Sequence, residues 1–162
     1  MTPPKIRVVF DINLFVDAFA GADSAFPVIK EVPPATSNSA SDCFSLAFDG
    51  NNFALYVSPH ILRNTKRVFS AMGLSAELIA EIIETLVEVV HFSGGSVVEP
   101  ERSVFEVKDF EDNLILDLVK AVDAQVVVTS DRDLLELNPW NGRLVMTPRS
   151  FVEHFIRLKA RY

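Results

Sequence analysis

Apolar positions in this chain fall into two alternating patterns. Short β-branched and aromatic runs at residues 6–10, 53–57, 96–98, 125–129 and 143–146 read as five strands. Between them, apolar residues recur at helical spacing. A helix is expected at about 13–19, a short one through 26–31, and one through 44–48 that Ser39 or Ser41 would cap and Gly50-Asn51-Asn52 would stop. Residues 33–39 are the clearest loop, rich in Pro, Ser and Asn. Ser58 followed by Pro59 is a strong helix start, since a hydroxyl accepts from a free backbone N–H and proline needs none. On that helix Ile61, Thr65, Val68 and Met72 form one stripe, and His60, Asn64 and Arg67 form another. Ser75 begins the longest helix, which Gly94-Gly95 ends. A further helix starts between Asp109 and Asp112, and Thr147-Pro148 caps a last one. Strands alternating with helices predict an α/β fold: a central parallel sheet with helices on both faces, in a three-layer α/β/α sandwich. No repeat and no domain boundary is visible, so residues 1–162 are expected to form a single domain.

The composition is that of an ordinary globular chain: 162 residues, 49% apolar and 10% aromatic. That aromatic and branched content excludes disorder. Cys43 is the only cysteine, which excludes a disulfide scaffold. The first acid arrives at Asp11 with no long apolar run before it, and no run reaches the roughly 20 apolar residues of a membrane span. A soluble cytoplasmic protein without membrane association is expected.

Charge changes the picture more than composition does. The net charge of −7 is concentrated between Glu99 and Glu136, where eleven acids face four bases. From Arg143 to the end the balance reverses. A chain this acidic does not hold nucleic acid by bulk charge, so any work on phosphates needs cations or a local basic face.

Two acids stand directly after strands, Asp11 after the first and Asp131 after the fourth, and Asp112 opens the helix that leads into the fourth strand. Ligands of open α/β sheets bind beyond the carboxyl ends of the strands. Carboxylates gathered there repel one another unless a hard cation neutralises them, and Mg²⁺ or Mn²⁺ suits an all-oxygen set. Such a centre can activate water and offset charge on a phosphodiester. Each acid also has a plainer use. Asp109 can cap its helix, and Asp131 or Asp133 can cap a short helix at Leu134-Leu135. Asp11, set between Val8-Val9-Phe10 and Leu14-Phe15-Val16, is poorly explained by solvation.

These residues resemble the PIN-domain family. Val8-Val9-Phe10-Asp11-Ile12-Asn13 looks like its opening strand. Asp109-Phe110-Glu111-Asp112-Asn113-Leu114 and Val128-Thr129-Ser130-Asp131-Arg132-Asp133 are similar to its later acidic motifs, and Val57-Ser58-Pro59-His60 matches its second-strand junction. The resemblance spans about residues 6–150. It implies strand order 3-2-1-4-5 and a metal-dependent ribonuclease, with Asp11, Asp112 and Asp131 as catalytic residues and ligands of Mg²⁺ or Mn²⁺. Asn13 would orient them, with Thr129 and Asp133 as supporting positions. Many bacterial members are toxins of toxin–antitoxin pairs, which implies an RNA substrate, an antitoxin partner and a homodimer. The stretch from Gly21 to Asn52 looks longer than in the small toxins.

One position departs from the family. Where the helix after Ser58-Pro59 usually carries a glutamate, this chain has Asn64, which can ligate through oxygen but brings no charge. His60, Arg63 and Arg67 are then either a wet helix face or a set that holds RNA phosphates. The missing glutamate opens a second reading, a weakened or inactive module that binds RNA or a protein partner. A phosphotransferase of the haloacid dehalogenase type would want an aspartate where Asn13 stands. A serine or cysteine hydrolase lacks its nucleophile elbow.

Overall fold

The computed structural model describes residues 4–20 and 37–159. The expected helix at 26–31 and most of the loop at 33–39 lie outside them. Four parallel strands, β1 (Ile6–Phe10), β2 (Phe53–Tyr56), β3 (Val126–Val128) and β4 (Leu144–Met146), form a sheet in the order β2-β1-β3-β4. Val8, Val9, Phe10 and all of β3 are buried, as expected of strands covered on both faces. Flanking the sheet are seven helices among the described residues: α1 (Ile12–Ala20), α2 (Ser39–Phe48), α3 (Pro59–Ala71), α4 (Ala76–Ser93), α5 (Phe110–Val122), α6 (Arg132–Leu135) and α7 (Pro148–Lys159). Aromatic side chains tie the C-terminal helix to the sheet. Phe151 of α7 lies edge-on to Phe53 at 5.1 Å and to Phe10 at 5.9 Å between ring centres.

The expected third strand is reduced to a single parallel bridge between Val57 and Val97. It occupies the edge beside β2 that the order 3-2-1-4-5 reserves for it. Pairing is held to that one bridge on both sides. Val57 donates to the Ser96 carbonyl and accepts from Val98, after which Glu99-Pro100 offers no further run and proline has no N–H to give. Before it, Gly95 passes so close to β2 that a Cβ there would sit 1.7 Å from the Leu55 carbonyl oxygen. Only glycine permits that approach. The Leu55 N–H is taken by the Ser93 hydroxyl at 2.9 Å instead of by a strand. On the other edge of the sheet the Val145 N–H donates to Asn138 Oδ1 at 2.8 Å.

Ser58, Ser75, Asp109 and Asp131 cap α3, α4, α5 and α6 as their positions suggested. At α2 the cap is Asn38, not Ser39 or Ser41. Its side chain accepts from the Ser41 N–H, so the helix starts at Ser39 itself. The buried face of α3 also differs from the expected stripe. Ile61, Thr65 and Phe69 are buried, whereas Val68 is only half-buried and Met72 is exposed. Packing of α3 against α1 and α4 selects the row spaced by four residues, one of the two ridges a helix offers.

Candidate metal centre

The acids converge because three elements end at the same edge of the sheet. β1 runs straight into Asp11, whose N–H still pairs with the Val128 carbonyl at 3.0 Å. One residue beyond β3 is Thr129, and Asp131 follows it as the cap of α6. Asp112 sits in the first turn of α5. A cleft lined by Asp11, Asn13, Asn64, Arg67, Asp112 and Asp131, with Ile12, Val68 and Ile115 as its apolar part, joins them to Asp109 and Glu111.

Each carboxylate is held differently. Asp11 Oδ1 accepts from the Ile12 N–H at 2.7 Å and Oδ2 from the Thr129 hydroxyl at 2.8 Å. Burial raises its pKa, those two bonds oppose the rise, and nearby Asp131 and Glu111 add to it. Asp131 Oδ1 accepts from the Asp133 N–H, and the Asp131 N–H donates to Thr129 Oγ1 at 2.9 Å. Asp112 is the outlier. It is 6% exposed, and its Oδ2 is buried with no hydrogen-bond partner. Burial, then Asp131, Asp109, Asp11 and Asp133, push its pKa up to about 7.

An orphaned buried carboxylate oxygen is costly unless something positive meets it. The donors around it are all oxygens, and one oxygen each from Asp112, Asp131 and Asp133 lie within 4.8 Å of one another. This set fits a hard divalent cation such as Mg²⁺ or Mn²⁺. This trio contains Asp133, an exposed residue, and not Asp11, whose oxygens are already engaged.

The remaining expected positions separate. Asn64 is buried and lines the cleft, which places it with the carboxylates. Arg67 lines it too, paired to Glu111 across the gap between α3 and α5 at 3.1 Å. His60 is half-buried behind Asn64 and does not line the cleft, and Arg63 is exposed away from it. Of the expected set His60, Arg63 and Arg67, only Arg67 is therefore brought to the cleft. Asn13 lines the cleft but is exposed, and among the described residues it makes no side-chain hydrogen bond to the acids it was expected to orient. Thr129 performs that task for Asp11. Glu111 was not singled out from the sequence, because the arginine it meets is 44 residues away. Cys43 is fully buried in α2, and burial followed by Asp42 pushes its thiol well up, which removes it as a nucleophile.

A parallel sheet with carboxylates collected beyond its strand ends defines an α/β protein of the acidic-cleft type. The family model for the PIN domain matches residues 7–133, and the chain belongs to that family, a nuclease-type family. Comparison with curated proteins and with solved structures found no match.

Proposed function

We propose that this chain is a ribonuclease that hydrolyses RNA phosphodiester bonds at the acid cleft, with Mg²⁺ or Mn²⁺ held by Asp112 and Asp131 together with Asp11 or Asp133. The observation that carries this reading is Asp112 Oδ2, a buried oxygen with no partner, on a residue that lines the same cleft as Asp11, Asp109 and Asp131. A divalent cation there supplies water activation and charge neutralisation at a phosphodiester. The chain's own residues do the rest. Thr129 and the Ile12 N–H fix the Asp11 carboxylate, and Asp109 closes the first turn of α5 so that Asp112 projects into the cleft. Arg67 brings a positive charge to the cleft, where a phosphate displaces Glu111 as its partner.

The reading is tested by incubating a mixed-sequence single-stranded RNA with the protein and Mn²⁺. Cleavage that stops with chelator and with Asp112→Asn supports it; cleavage indifferent to both overturns it. A toxin role adds a second expectation, that expression arrests growth of a bacterial host and Asp112→Asn relieves the arrest. The neutral Asn64 favours one other reading, a module that holds RNA without cutting it. Tight RNA binding with no Mn²⁺-dependent cleavage would select that one. No helix of the described residues is long and apolar enough to cross a membrane.

A further inference from the structure

His60 and Asn64 lie one turn apart on α3, and Asn64 Nδ2 is 3.0 Å from His60 Nε2. The direction of this bond follows from the groups. An amide nitrogen can only donate, so Nε2 is the unprotonated acceptor and the ring carries its proton on Nδ1. Of the two residues only Asn64, 8% exposed, lines the acid cleft. Its Oδ1 accepts no hydrogen bond among the described residues.

A planar amide held through its nitrogen from behind turns its oxygen forward. The reverse setting is chemically coherent as well. With the proton on Nε2, His60 would donate to Oδ1, and the Asn64 NH₂ would point at the carboxylates and satisfy them as a donor. A cleft so satisfied has less need of a cation. The tautomer of one imidazole therefore decides whether position 64 meets a cation with an acceptor or a donor. Burial, with Arg63 and Arg67 beside it and Glu111 and Glu99 opposing, keeps His60 below its usual pKa, which favours a neutral ring.

We propose that His60 is a positioning residue that fixes the Asn64 amide with its oxygen toward the aspartates, so that the cleft presents a neutral oxygen where the family usually has a carboxylate. The inference rests on the reading of the cleft as a cation site. It gives a task to His60, which does not itself line the cleft.

The test is a double-mutant cycle read by calorimetric titration of Mn²⁺ alone, with no RNA present. His60→Leu should weaken Mn²⁺ binding by about tenfold, the usual cost of removing a group that orients a ligand. His60→Gln keeps an acceptor at this position and should restore most of the affinity. In the Asn64→Asp background both side-chain oxygens are equivalent, so His60→Leu should have almost no effect there. Equal losses in the two backgrounds, or no loss in either, overturn the inference while leaving the cation site standing. Nitrogen NMR of metal-free protein reads the tautomer directly and does not depend on cation binding. A ring protonated on Nδ1 supports the inference, and one protonated on Nε2 overturns it. Failure of both the wild type and Asn64→Asp to bind Mn²⁺ would overturn the reading of the cleft, and this inference with it.

Discussion

The Thr129 hydroxyl donates to Asp11 Oδ2 at 2.8 Å, and Thr129 Oγ1 in turn accepts from the Asp131 N–H at 2.9 Å. One fully buried hydroxyl thus couples the acid that ends β1 to the acid that follows β3. Replacing it with a methyl group of similar shape leaves two buried partners unsatisfied. Thr129→Val should lower stability by about 1–3 kcal/mol and reduce cleavage, and Thr129→Ser should retain both. Chemical denaturation of the three proteins measures the first effect. A Thr129→Val protein as stable as the wild type would mean that water replaces the hydroxyl.

The raised pKa of Asp112 predicts an unusual response to pH. Its folded value near 7 lies above the ordinary 3.8, so between those values the folded protein binds a proton that the unfolded chain does not. Stability of metal-free protein should therefore rise as pH falls from about 8 toward 4, and should gain nothing more from this group below that. Asp11, also raised, acts with the same sign. A shift of this size sets a ceiling on the order of 4 kcal/mol. Asp112→Asn should reduce the slope to the part that Asp11 contributes and raise metal-free stability at pH 7.5. Saturating Mn²⁺ should do the opposite to the wild type, stabilising it most at pH 7.5 and losing effect on acidification. Melting temperatures across pH, with and without Mn²⁺, give the answer. If the slopes of wild type and Asp112→Asn coincide, Asp112 is an ordinary carboxylate.

Asp109 and Asp112 are three residues apart with opposite tasks. Asp109 accepts from the Glu111 N–H at 2.8 Å as the cap of α5, so Asp109→Ala should cost about 1 kcal/mol. Cleavage by Asp109→Ala should stay within a few-fold of the wild type under folding conditions. Asp112→Asn should abolish cleavage without loss of stability. Finding these two phenotypes exchanged would reverse the assignment.

This pair also shows what was legible in the chain. A hydroxyl or carboxylate just before an apolar periodic run is a local signal: Ser58, Ser75 and Asp109 cap where it placed them, and of Asp131 and Asp133 the former caps α6. The convergence of Asp11, Asp112 and Asp131 was legible for a similar reason: strand ends of a parallel sheet share an edge. What depended on contacts between distant segments was not legible. The Arg67–Glu111 pair, the choice of Phe69 over Met72 for the buried face of α3, and the close approach of Gly95 to Leu55 beside the one-bridge third strand are all set by neighbours far along the chain. Position 64 is legible by its register against Ser58-Pro59, whereas its hydrogen bond to His60 depends on how the two side chains settle on the folded helix.

Arg67 and Glu111 are both largely exposed, and such pairs contribute little to stability. Arg67→Ala should leave the melting temperature nearly unchanged. Its effect should appear in binding of a non-cleavable RNA analogue with chelator present, where affinity falls and the dependence on salt becomes shallower by about one phosphate contact. Glu111→Gln releases the arginine from its internal partner and should tighten the same binding. Fluorescence anisotropy over a salt series distinguishes these outcomes. Unchanged binding in both variants would leave the pair as surface decoration.

The side chains of Ser93 and Asn138 have a consequence beyond local satisfaction. Each occupies an outward-facing backbone N–H on an outer strand of the sheet, at Leu55 and at Val145. An open sheet normally advertises those groups as a template, to which an extended peptide or a second copy can add itself rung by rung. Here the first rung on either side is already taken by the chain's own side chains. A polypeptide that adds a strand at either border must therefore first displace one of these side chains.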